Sequence, residues 1–181
     1  MTERTLVGDN DLQRRLDEAF FTVQLPSGRI FGEVRGQRHV RVRLAPGHYD
    51  QVSTSQLCGE LANLARLLFA RGLRERQLAI KEVTGRTVER PVRFGRRGAA
   101  YAKALAELVA EGESDDGTVR VGSVGQQHYT VTIEPGALRR LSQEQFEASC
   151  GQAADRLLVD TETKAGRARV EIFDPLPGAP V

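Results

Sequence analysis

Residues 28–57, GRIFGEVRGQRHVRVRLAPGHYDQVSTSQL, lie over residues 117–146, GTVRVGSVGQQHYTVTIEPGALRRLSQEQF, at a constant offset of 89 positions and without a gap. The paired identities are Gly28/Gly117, Gly36/Gly125, Gln37/Gln126, His39/His128, Val42/Val131, Pro46/Pro135, Gly47/Gly136, Ser53/Ser142, Gln56/Gln145, Ala65/Ala154 and Leu68/Leu157. A match at one fixed period means a unit built twice. The offset extends backwards, laying Leu12, Arg14, Leu16 and Glu18 over Tyr101, Lys103, Leu105 and Glu107. The chain therefore reads as one repeat over residues 10–83 and a second over 99–173, joined by a basic linker at 84–98 and followed by a Pro-rich tail at 174–181.

Periodicity parses each repeat. DLQRRLDEAFF and AAYAKALAELV place Leu12, Leu16, Ala19 and Phe20, and Tyr101, Leu105, Leu108 and Val109, three or four apart, the signature of a short amphipathic helix. The period then becomes two. In HVRVRL, Val40, Val42 and Leu44 fall on one face and His39, Arg41 and Arg43 on the other, while HYTVTI sets Tyr129, Val131 and Ile133 against His128, Thr130 and Thr132. RIFGEVR and TVRVGSV read as the preceding strands, turned at Gly36-Gln37 and Gly125-Gln126, and FTVQL and LVAEGES as earlier strands. Ala45-Pro46-Gly47 and Glu134-Pro135-Gly136 stop the meander, since proline offers no ladder donor. Ser53 with Gln56 and Ser142 with Gln145 have capping-box spacing, and Leu57, Leu61, Leu64 and Leu68, or Phe146, Cys150, Ala153 and Leu157, continue as helical stripes. QLAIKEV and ARVEIF read as short closing strands. The expected fold is α+β: a tandem duplication of helix, three-stranded antiparallel meander, helix and short strand, with one sheet face covered by the long helix and the other open.

Composition bounds the function. The 181 residues are 40% hydrophobic and 28% charged, enough for a core without disulfides or metals. Cys58 and Cys150 match no metal spacing and no secreted disulfide framework, so a reducing, cytoplasmic setting is expected. Neither a signal peptide nor a membrane span is expected, since LANLARLLFA is broken by Asn63 and Arg66. Net charge is +2, divided as +7 over residues 1–100 and −5 over residues 101–181. The densest basic stretch carries Arg71, Arg74, Arg76, Lys81, Arg86, Arg90, Arg93, Arg96 and Arg97 against Glu75, Glu82 and Glu89. Such asymmetry points to an anionic partner, or to a solvated basic linker.

The element order, the Gly turn, the strand ending Val131-Thr132-Ile133-Glu134-Pro135 and the amphipathic helix from Ser142 resemble the YbaB/EbfC family of nucleoid-associated proteins. Gly117, Val119, Val121, Gly125 and Leu138 also carry that likeness. The first repeat resembles, in addition, the YbaB-like segment of actinobacterial type VII secretion-associated Esp proteins, through the FTV strand at 21–23 and the LAR helix end at 64–66. Members of the YbaB family are small homodimers that bind DNA with little sequence preference. The resemblance thus implies an intrachain pseudo-dimer, existing as a monomer or a weak homodimer. It implies double-stranded DNA as the partner, held without sequence preference. The alternative is an adaptor or chaperone for type VII secretion-associated proteins.

Catalysis finds no support in the sequence: no Walker loop, GxSxG, HExxH or CxxC is present, and a non-enzymatic chain without cofactor or metal is expected. His39 and His128 occupy equivalent strand starts with no repeated acidic or thiol partner. A shared turn or pseudo-dimer contact explains them more simply than a metal. Cys150, on the apolar stripe, reads as core, and Cys58 lies beside that stripe. The basic residues carry the functional signal. Arg41 and Arg43 project together where a phosphate backbone could be tracked, Arg35 and Arg38 flank the same hairpin turn, and Arg86, Arg90, Arg93, Arg96 and Arg97 could reach the same ligand. The bland alternative is that these arginines only solubilise a sheet face. Aromatic interleaving of the kind single-strand binders use reads as weak.

Overall fold

The computed structural model describes residues 11–85 and 95–174. The first half contains α1 (residues 11–17), β1 (Phe20–Gln24), β2 (Ile30–Arg35), β3 (His39–Leu44), the single turn α2 (His48–Gln51) and the long α3 (Thr54–Thr84). The second half repeats the order with α4 (Gly95–Glu107), β4 (Val109–Glu113), β5 (Val119–Val124), β6 (His128–Ile133), α5 (Ala137–Arg140) and α6 (Gln143–Phe173). Each half holds one antiparallel three-stranded meander, β1-β2-β3 and β4-β5-β6. The duplicated α+β architecture is therefore present.

Local sequence explains most of the boundaries. Gly36 and Gly125 turn the hairpins at φ of 61° and 60°, and each donates its N–H to a carbonyl just beyond the preceding helix, Ala19 at 2.7 Å and Leu108 at 2.9 Å. A Cβ on Gly125 would lie 2.4 Å from the Ala106 carbonyl oxygen, so this turn needs glycine for space as well as for dihedral. Ser53 and Ser142 cap α3 and α6 by accepting from Gln56 N and Gln145 N. Only Ser142 completes the box, since Gln56 turns its amide to Glu60 at 3.0 Å.

Two local expectations are corrected. The opening helices stop earlier than the apolar spacing suggests: Phe20, Phe21 and Val109 lie in β1 and β4. The closing strands are absent, for QLAIKEV (77–83) and ARVEIF (168–173) are the last turns of α3 and α6. Leu78 and Ile80 alternate as a strand would, but no breaker precedes Gly85, which ends α3 at φ 65° with its N–H on Lys81 O. Distant contacts hold both ends. Arg15 pairs with Glu82 at 3.0 Å, and Tyr101 on α4 meets Phe173 edge-on at 5.7 Å.

The two halves share one core. Leu57, Leu61, Leu64 and Leu68 of α3 and Phe146, Cys150, Ala153 and Leu157 of α6 are buried with the inward residues of both sheets in a single cluster. α3 packs on β1 and β2 of its own half and on β6 of the other, and α6 packs on β4, β5 and β3. Tyr49 spans the halves, its ring 5.5 Å from that of Phe146 and its hydroxyl donating to Leu141 O at 3.1 Å. Cys150 is core as expected, and burial pushes its thiol well above the usual range. Between the halves lies a mostly apolar cavity of about 300 Å³, bordered by Phe21, Leu64, Leu68, Val121, Tyr129 and Leu157.

α6 does more than fill the core. Gln143, Glu147 and Asp155, multiples of four apart, bond the outer edge of β3: Gln143 donates to Leu44 O at 2.9 Å, and Glu147 and Asp155 accept from Leu44 N and Val40 N at 2.7 Å each. Gly151 completes that row, and a Cβ there would sit 2.8 Å from Val40 O. A second row at four-residue steps bonds the outer edge of β4. Gln152 and Asp160 accept from Asp115 N at 3.1 Å and Glu111 N at 2.9 Å, while Arg156 and Lys164 donate to Glu113 O at 2.6 Å and Val109 O at 2.9 Å. One helix thus satisfies two sheet edges that would otherwise present unpaired backbone. α3 lacks this chemistry. At its positions equivalent to Glu147, Asp155 and Asp160 it carries Cys58, Arg66 and Arg71; Cys58 lies at the Ile133 backbone, Arg66 bonds Asn63 and Arg71 bonds Glu75.

The β4–β5 turn is locked by Asp116, which accepts from Thr118 N and Ser149 Oγ at 2.9 Å each and from Ser114 Oγ at 2.5 Å. Burial disfavours its charge, but these hydrogen bonds outweigh that and hold the carboxyl well below the usual range. A carboxylate with a depressed folded pKa stabilises the protein above its unfolded value, about 3.9, and loses that contribution as pH falls toward the folded value. Asp116→Asn is expected to cost about 1 kcal/mol at pH 7, a figure reduced by the exposure of the turn. Urea melts from pH 7 to pH 3 check this: the gap between the two proteins should narrow only below about pH 4.

Candidate functional site

The outer face of the first sheet is a three-by-three grid set by strand register. Its rows are Phe20–Arg35–His39, Thr22–Glu33–Arg41 and Gln24–Phe31–Arg43. The strict alternation in β3, with Val40, Val42 and Leu44 buried, puts His39, Arg41 and Arg43 on this face, all exposed. Ile30 and Val34, buried in β2, send Phe31 and Arg35 outward in the same way.

The cations on the face differ in their engagement. Arg35 bonds Glu33 at 2.7 Å and lays its guanidinium 5.2 Å from the centre of the Phe20 ring. Glu33, which lies opposite Arg41 in register, is thereby held by Arg35. Among the described residues, Arg41 and Arg43 have no ion-pair partner. His39 approaches Asp155 at 3.7 Å; burial raises the Asp155 carboxyl above its usual range, partly offset by the Val40 amide and by His39. The face carries net +2 from Arg35, Arg41, Arg43 and Glu33.

The equivalent grid on the second sheet reads Val109–Val124–His128, Glu111–Gly122–Thr130 and Glu113–Arg120–Thr132, net −1. Its one arginine is bonded to Glu113 at 2.9 Å. The same fold thus presents a basic face on one half and an acidic one on the other.

The remaining basic candidates do not join the grid. Arg38 sits in the β2–β3 turn and is paired to Glu162 of α6 at 2.8 Å, a bridge between the halves. Arg96 and Arg97 begin α4, and Arg97 reaches Phe173 O at 3.5 Å. Phe173 lies eleven residues beyond Glu162, about 16 Å further along α6, so these two arginines face a different region from Arg41 and Arg43. Arg86, Arg90 and Arg93 lie outside the described residues.

The aromatic interleaving that reads as weak in the sequence amounts to two rings on this face. Phe31, 38% exposed, stands beside Arg43, and Phe20, 57% exposed, stands beside Arg35. Phe20 was obscured by its helical spacing from Leu16, whereas the alternation in RIFGEVR already turns Phe31 outward. Among the described residues no cluster of three or more His, Cys, Asp or Glu side chains could hold a metal ion, and no helix is long and apolar enough to cross a membrane. Compared with known proteins, the chain matches no protein-family model, no curated protein and no solved structure.

Proposed function

We propose that the chain is a non-enzymatic, cytoplasmic, nucleoid-associated DNA-binding protein of the YbaB/EbfC kind, which holds the phosphate backbone without reading sequence. One observation carries this reading. Arg41 and Arg43 are exposed on the outer face of β3 and have no ion-pair partner among the described residues, where the other half has Thr130 and Thr132 in rows that end in Glu111 and Glu113. Cations spaced along the outward face of a strand suit phosphate contact, which positions a nucleic acid without reading its sequence.

Each phosphate contact contributes about one unit to the slope of log K against log salt. The Arg41→Ala, Arg43→Ala double variant is therefore expected to bind duplex DNA more weakly and to lose about two units of slope, similarly for all sequences. Thr130→Ala with Thr132→Ala should change little. Mobility shifts at several salt concentrations measure both. A wild type that binds neither duplex nor single-stranded DNA at low salt would remove the DNA reading. An adaptor for type VII secretion-associated proteins then takes its place, supported by Val109 and Val124, neighbours in register and both exposed on the second sheet.

A further inference from the structure

We infer that the outer face of the first sheet holds single-stranded DNA in preference to duplex, by stacking an unpaired base on Phe31 between phosphate contacts to Arg43 and Arg41. This inference rests on the DNA-binding reading above and goes beyond it in naming the form of the ligand. Phe31 and Arg43 are register partners on adjacent strands, which places their backbones about 4.8 Å apart, and Arg41 follows Arg43 on the same face after about 6.8 Å. A flat aromatic ring thus lies beside a short track of unpaired cations, the combination by which sequence-tolerant single-strand binders work. At the other end of the grid Phe20 carries the Arg35 guanidinium over its ring, a second planar platform about four residues along the strand.

The choice of single strand over duplex follows from what each exposes. In a duplex the π-faces of the bases are stacked on one another, so Phe31 would meet only sugar and phosphate and add little. An unpaired strand offers those faces, and stacking adds to the same phosphate attraction. The second sheet gives the internal contrast: the position equivalent to Phe31 is Arg120, already bonded to Glu113, and those equivalent to Arg41 and Arg43 are threonines.

The test uses the full chain with three labelled probes, a dT20 oligonucleotide, a 20-base-pair duplex and rU20, titrated at one salt concentration by fluorescence anisotropy. The expected result is that the wild type binds dT20 about tenfold more tightly than the duplex, one well-stacked base being worth that much. Phe31→Ala should weaken dT20 binding about tenfold while shifting duplex binding less than twofold, and Phe31→Tyr should retain the wild-type preference. Phe31 is at the surface, so these variants should keep the native circular dichroism spectrum. Duplex binding as tight as dT20 binding in the wild type, or dT20 binding unchanged in Phe31→Ala, overturns the single-strand preference and leaves the duplex reading standing. Tighter binding of rU20 than of dT20 also overturns it, by assigning the ligand to RNA. Failure of all three probes to bind at low salt removes both this inference and the reading beneath it.

Discussion

Gly112→Val is expected to cost at least about 3 kcal/mol and to lower the melting temperature by roughly 6–12 °C. Gly112 lies in β4 where α6 runs against the strand, and a Cβ there would stand 2.1 Å from Ala153 O and 2.4 Å from Leu157 N. Both atoms belong to helix backbone, which cannot rotate away as a side chain can. Relief would require α6 to withdraw and break the bonds from Asp160 to Glu111 N and from Lys164 to Val109 O. The equivalent position in the first half is Val23, part-buried in β1 against a helix that makes no such edge bonds. The substitution therefore installs a residue that the other copy tolerates, at the place where the copies differ most. Calorimetry decides the matter: a Gly112→Val protein melting with the wild type would mean that α6 does not approach β4 this closely.

Phe146→Ala is expected to destabilise the whole chain by about 3–5 kcal/mol, lowering the melting temperature by about 10 °C in a single transition. Phe146 is fully buried in α6, yet its ring neighbour is Tyr49 of the first half. The cavity left behind would open onto the sidewall that both halves share. Were the halves separate folding units, scanning calorimetry would show two transitions with only one displaced. That outcome would contradict the single core.

Much of the fold can be read from residues alone, because the repeat doubles every local signal. The alternation in HVRVRL places Arg41 and Arg43 on the open face, and the Ser-x-x-Gln spacing starts both long helices where they begin. Short apolar runs are harder. Phe20 continues the helical spacing of Leu16, and QLAIKEV alternates like a strand, so period alone cannot decide either. The edge-bonding rows of α6 are visible only as polar residues four apart, which is equally the pattern of a solvated helix face. Their partners, Val40, Leu44, Val109 and Glu111, are 49 to 115 residues away in the chain. Likewise nothing local distinguishes Arg38, bonded to Glu162 across 124 positions, from Arg41, which has no such partner among the described residues.

Biosynthesis runs from the N-terminus, and β3 is made about a hundred residues before the helix that closes its edge, Leu44 and Glu147 being 103 positions apart. At about 5–20 residues per second, translation leaves that strand waiting roughly 5–20 s. Throughout the interval Val40, Val42 and Leu44 lack α6, and the outward amides of Val40 and Leu44 have no native acceptor within the nascent chain. Neighbouring nascent chains on the same message carry the same strand. Joining two copies in one polypeptide thus guarantees each half its partner at completion, while lengthening the time for which the first half must do without it.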